Sequence, residues 1–115
     1  MTKIWTAQYR YSGPDRLDIT VKGNDPMGRT FAPTWQMVND FRSGKSGQQA
    51  YIQAYGTLLT DRFTTISGLL VWMAKQKEVT LVCFCPSGAF CHRVLLAKWL
   101  ASNSDFEYMG ERRTI

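Results

Sequence analysis

Residues 78–85, EVTLVCFC, constrain the fold more than any other stretch of the chain. Val79, Leu81, Cys83 and Cys85 alternate with Thr80, Val82 and Phe84, so both sides of a strand here are apolar. Such a strand belongs at the centre of a sheet with helices over each face. A short turn, Pro86, Ser87 and Gly88, then leads to CHRVLLAKWLAS, whose nearly all-round apolar content predicts a largely buried helix. Strand, turn and helix in this order are the unit of a parallel α/β sheet.

The rest of the chain supplies further units. KIWTAQY reads as a first strand ending at a basic aromatic corner, Tyr9-Arg10-Tyr11, and SGPD is a turn. RLDITV alternates Leu17, Ile19 and Val21 with polar residues and predicts a second strand. KGNDPMGRTFAP follows as an irregular loop. Thr34 caps a helix that places Trp35, Val38 and Phe41 on one face. A second helix after SGKSG aligns Tyr51, Tyr55, Leu58 and Leu59, and a third, begun at Thr64 or Thr65, aligns Ile66, Leu69, Leu70 and Met73. These stripes are core positions. DFEYMG adds a short last strand. The expected architecture is one three-layer, Rossmann-like α/β domain spanning residues 1–115, with a small, partly parallel sheet flanked by helices.

With 115 residues, the chain is long enough to bury a core without staples. It contains no apolar run of membrane-spanning length, and its first residues lack a signal-like core. Its three cysteines are an odd count crowded into nine positions, a poor framework for disulfides. A soluble, cytoplasmic protein is therefore expected. The net charge of +5 favours anionic partners: nucleotides, other phosphorylated small molecules or nucleic acid.

All three cysteines and the sole histidine lie in CFCPSGAFCHR, residues 83–93. Zinc fits the letters and not the geometry. Cys83 and Cys85 would sit about 6.6 Å apart on one strand face, and Cys91 and His92 would diverge on a helix. No metal and no other cofactor is expected. A thiol at a helix amino terminus beside basic groups is nucleophilic, which makes Cys91 and Cys85 candidates, with His92 as general acid or base. The phosphatase spacing of cysteine to arginine is missing. An anion cradle fits best: strand carboxyl ends and a helix amino terminus converge there, with Arg93 and, when protonated, His92 adding charge. Against each functional reading stands a structural one. His92 can cap backbone groups, Arg93 can pair with Glu111, and Cys83 can be plain core. The GKSG tract lacks the upstream glycine and strand of a phosphate loop and reads as an interhelical turn.

VTLVCFCPSGAFCHRVLLAKWL resembles the signature of the bacterial and phage family named domain of unknown function 488, with Cys-His-Arg its most specific part. YRYSGPDRLDIT, FAPTW and YIQAYGTLL resemble other segments of that family, so the likeness covers most of the chain. The domain of unknown function 4326 family has a similar Cys-rich strand and Cys-His. The resemblance implies a Rossmann-like fold of a kind that often handles nucleotides or bases, and it carries no established reaction. Carried over by position, Cys91, His92 and Arg93 form the site signature, with Cys85 beside them. Tyr9, Arg10 and Tyr11 would face the same crevice to stack a base and hold phosphate. Asp18, with Asn24 and Asp25 as weaker candidates, would bond ribose or base, and Ser87 and Gly88 would line the turn. The expected function is binding of a nucleotide-derived or other phosphorylated small molecule, as a sensor or sequestering protein. A cysteine- and histidine-dependent enzyme on a nucleotide or modified base is the first alternative, and a nucleic-acid binder the second. Homo-oligomerisation and a mobile-element origin stay open.

Overall fold

The computed structural model describes residues 2–20, 25–84 and 92–112. Strands β1 (Lys3–Gln8), β2 (Arg16–Asp18), β3 (Glu78–Cys83) and β4 (Glu107–Glu111) form one sheet in the order β2-β3-β1-β4. Every pairing is parallel. The helices are α1 (Pro26–Arg29), α2 (Trp35–Arg42), α3 (Gln48–Asp61), α4 (Phe63–Ala74) and α5 (His92–Asn103). The expected α/β class holds, and the sheet is wholly rather than partly parallel among these strands.

Parallel partners point to the same side of a sheet, so the register sorts the side chains. Ile4, Thr6, Leu17, Val79, Leu81 and Cys83 share one face; Trp5, Ala7, Arg16, Asp18, Thr80 and Val82 share the other. The first face carries the core. Its apolar residues join Phe31, Tyr51, Tyr55, Leu59, Ile66, Met73, Leu96 and Leu100 in one buried cluster. Handedness explains this grouping. The connections from β2 to β3 and from β3 to β4 run in the same direction along the sheet, so right-handed crossovers put their helices on one face. The β1–β2 connection runs the opposite way and crosses the other face. The layer over that second face is thus segment 9–15 rather than the helices expected there. Its bonds pin it down: Tyr11 donates to Asp15 at 2.6 Å, and Arg16 donates to the carbonyls of Tyr11 and Tyr9 at 2.8 and 3.0 Å.

Local chemistry explains the helix boundaries. The Thr34 side chain accepts from Met37 N at 3.1 Å, the expected cap of α2. The packed face of α2 differs from expectation: Met37 and Phe41 meet the core, whereas Trp35 is 47% exposed. An i, i+4 pair on this short helix suffices, which leaves its first residue outside. SGKSG is the α2–α3 turn, where Gly44 takes a φ of 83°. The loop before Thr34 contains the one-turn helix α1, which periodicity does not reveal. Asp25 caps it, and Gly28 meets β2 so closely that an added Cβ would lie 1.7 Å from the Asp18 carbonyl oxygen. Tyr55, 1% exposed, donates to the Phe31 carbonyl at 2.6 Å and ties α3 to this segment. Burial raises its pKa well above the usual value, so the hydroxyl stays protonated and able to donate.

Candidate functional site

Because all four strands are parallel, their carboxyl ends lie on one edge of the sheet, where α/β folds place ligands. This edge brings together Gln8 at the end of β1 and Tyr9 beyond it, Asp18 at the end of β2 with Ile19 and Thr20, Phe84 after β3, the start of α5, and Glu111 at the end of β4, followed by Arg112.

A bulge in β4 decides which way the last two point. The register runs Ile4↔Tyr108, then Trp5↔Gly110 and Thr6↔Glu111, so Met109 is the extra residue. Gly110 accepts the irregular backbone with a φ of 110°. Without the extra residue Glu111 would pair with Ala7 and face the return segment. With it, Glu111 shares the face of Thr6, under α5, and Arg112 is sent to the opposite face.

On the helix face, Arg93 is 1% exposed and is held at three atoms. Its Nε and Nη2 donate to the two Glu111 carboxylate oxygens at 3.1 and 2.7 Å, and its Nη1 donates to Cys83 Sγ at 3.0 Å. The bidentate fork compensates a charge that could not otherwise be buried. Cys83 is itself 1% exposed, as expected of a core cysteine. The other two cysteines, Cys85 and Cys91, lie outside the described residues.

His92 is also buried. Its Nε2 lies 2.9 Å from the Ile19 carbonyl, and its ring meets Tyr55 edge-on with centroids 5.8 Å apart. A carbonyl only accepts, so Nε2 carries the proton. Burial lowers the pKa to about 4; the bond to Ile19 opposes that shift, and Arg93 adds to it. At neutral pH His92 is therefore an uncharged bridge from α5 to the end of β2, which is the backbone-capping alternative of the sequence reading.

The second face ends in aromatic rings and cations. Tyr9 stacks on Phe84 with centroids 4.1 Å apart and planes at 19°, and the Arg16 guanidinium lies 4.6 Å from the Tyr9 centroid. Phe84 remains 57% exposed, and Arg10 at the same corner is exposed. Deeper in, Arg112 lies 4.1 Å from the Trp5 ring centroid, donates to Glu78 at 3.0 Å and stands 3.6 Å from Asp15. Burial works to raise the Asp15 pKa, but hydrogen bonds from Thr80 and Tyr11 and the charge of Arg112 outweigh it and leave it lowered. Tyr11 is shifted up, first by burial and then by its bond to Asp15.

Of the residues expected at the site, Tyr9, Arg10, His92 and Arg93 reach the carboxyl edge. Tyr11 folds back along the second face instead. Asp18 is 5% exposed and accepts from the backbone N–H and hydroxyl of Thr20 at 2.9 and 2.7 Å, a local turn. Asp25 caps α1. Cys85, Ser87, Gly88, Cys91 and Asn24 lie outside the described residues. Among the described residues no group of three His, Cys, Asp or Glu is placed to hold a metal. Sequence reasoning missed Phe84 as the exposed partner of Tyr9 and missed Arg112; the glycine inside EYMGE was the available signal for the bulge. Elsewhere, an open groove of about 610 Å³ beside α3, lined by Gln53, Gly56, Thr57, Thr60, Asp61 and Trp99, holds none of the expected residues. No helix among the described residues is long and apolar enough to cross a membrane.

The family model DUF488-N3a, described as the active DUF488-N3 subclade, matches residues 1–104, and the chain belongs to this family. No curated protein and no solved structure matches it.

Proposed function

We propose that this member of the DUF488-N3a subclade binds a nucleotide-derived or otherwise phosphorylated small molecule in the crevice beyond β1 and β3, with an aromatic base stacked on Phe84. One observation carries the reading: Phe84 stays 57% exposed beside the sheet's carboxyl edge while its ring is fixed by Tyr9 at 4.1 Å and Arg16 backs the pair. An apolar ring held rigid and open to water favours a flat partner over its face. Base–aromatic stacking contributes about 1–3 kcal/mol. Exposed Arg10 and the overall charge of +5 supply the attraction for phosphate. Arg93, His92 and Glu111 hold the mouth of α5 in position and leave ligand contact to the outer residues.

The test is equilibrium dialysis of the protein against nucleotides and cyclic dinucleotides, with mass analysis of what is retained. Retention of a nucleotide, weakened roughly tenfold or more by Phe84→Ala, supports the reading. Retention of none, or unchanged retention by Phe84→Ala, refutes it. A second reading, turnover of the nucleotide by a cysteine, rests on the family description of the subclade as active. Recovery of a chemically altered ligand from the wild type and of intact ligand from Cys91→Ser would favour it.

A further inference from the structure

The second face of the sheet encloses a cation, and the cation is the chain's own. The Arg112 guanidinium carbon lies 4.1 Å from the Trp5 ring centroid and 5.8 Å from that of Tyr11. Its Nε donates to the Thr80 hydroxyl at 3.0 Å and its Nη2 to Glu78 at 3.0 Å, with the Asp15 carboxylate 3.6 Å away. Two aromatic rings, two carboxylates and a hydroxyl around one guanidinium make a cage of the kind that recognises organic cations.

The walls of the cage are fixed by bonds in which Arg112 takes no part. Trp5, Glu78 and Thr80 point to one side of the sheet by the β1–β3 register. Trp5 Nε1 donates to Glu78 at 3.3 Å, Tyr11 donates to Asp15 at 2.6 Å, and Thr80 donates to the other Asp15 oxygen. The Thr80 backbone N–H also donates to the Asp15 carbonyl at 2.8 Å. Gly13 makes room for the Tyr11 ring, since an added Cβ there would lie 2.0 Å from the Tyr11 hydroxyl oxygen. The occupant is the removable part: Arg112 follows the edge strand β4, and its side chain is 25% exposed. We infer that this cage is a binding site for monosubstituted guanidinium compounds, arginine side chains included, and that Arg112 fills it in cis as a tethered competitor. A guanidinium can lay its face on an indole while its edge donates to oxygens; an ammonium, compact and strongly hydrated, cannot do both. Tethering holds Arg112 at an effective concentration of roughly millimolar or more, which keeps the cage closed to dilute ligand.

The test empties the cage and offers it a free ligand. The Trp5 indole N–H of isotope-labelled Arg112→Ala is followed by nuclear magnetic resonance while ethylguanidinium is added, with the fold checked by circular dichroism. A saturable shift with a Kd on the order of 1–10 mM is expected. The wild type should bind roughly tenfold more weakly or worse, because the ligand must displace Arg112. Ethylammonium should be weaker than ethylguanidinium by about the same margin, and adding Glu78→Gln to Arg112→Ala should weaken binding about fewfold or more. Arg112→Gln gives a second emptied cage that keeps more of the side chain's packing. N-acetylarginine amide separates the sources of the ligand: equal binding supports an arginine carried on a peptide, and its exclusion supports small guanidinium compounds. No saturable shift in either emptied variant overturns the inference. So does wild-type or ethylammonium binding as tight as that of ethylguanidinium to Arg112→Ala, or binding indifferent to Glu78→Gln.

Discussion

The two faces of the sheet each end in an arginine, and the two arginines live under different physics. Arg93, on the helix side, is 1% exposed and forked to Glu111; Arg112, on the return-segment side, is 25% exposed and shared among Glu78, Asp15 and the ring of Trp5. One residue in β4 separates them: the bulge at Met109 turns Glu111 toward α5 and Arg112 away from it. Burial makes the first arrangement all-or-none, because an unpaired charge there has no water to fall back on. Exposure makes the second adjustable. The helix-side network is accordingly scaffolding, and the return-segment side, with Phe84 57% exposed, is where the proposed ligand would stack.

Removing Glu111 should produce the largest effect. Glu111→Ala removes the bidentate carboxylate from the buried Arg93 guanidinium and is expected to cost about 3–5 kcal/mol in urea unfolding. Arg93→Met, which removes the charge and keeps the volume, should cost markedly less. Equal losses in the two variants would show that packing rather than charge compensation is at stake.

Acid should act next, again on the helix side. His92 has a folded pKa of about 4 against 6.5 for the free side chain, so between those values the unfolded chain binds the extra proton. The stability due to neutral His92 is complete above pH 6.5, declines as pH falls through that window, and is lost to the extent of about 3 kcal/mol by pH 4. Unfolding free energies measured across this window should flatten in His92→Gln. A wild-type profile already flat there would contradict the buried, neutral assignment.

The smallest effect belongs to the other arginine. Arg112→Ala should cost below about 1 kcal/mol, and the loss should shrink as salt is raised. A loss as large and as salt-insensitive as that of Glu111→Ala would erase the contrast between the faces.

Much of this was legible in the sequence. The apolar EVTLVC run became β3, the Thr34 cap was met, and the α3 and α4 stripes entered the core. Residue type and spacing also allowed the Arg93–Glu111 pair to be named in advance. What was hidden depends on direction in three dimensions. The apolar second face of β3 suggested helices, yet crossover handedness covered it with segment 9–15. Trp35 looked like core, but a two-turn helix needs only Met37 and Phe41 for anchorage. Arg112 carried no signal of its own, since the bulge that aims it is a backbone event marked only by Gly110. His92 could be read as a conditional charge or as a cap on backbone groups, and only burial beside the Ile19 carbonyl separates the two.

The most direct test of the account is a nuclear magnetic resonance titration of the isotope-labelled protein with the nucleotides and cyclic dinucleotides used in dialysis. Shift changes concentrated at Gln8, Tyr9, Arg10 and Phe84, and lost in Phe84→Ala, are the predicted result. The account is contradicted if no nucleotide moves these resonances, or if the changes fall instead on the α3 groove around Gly56 and Trp99.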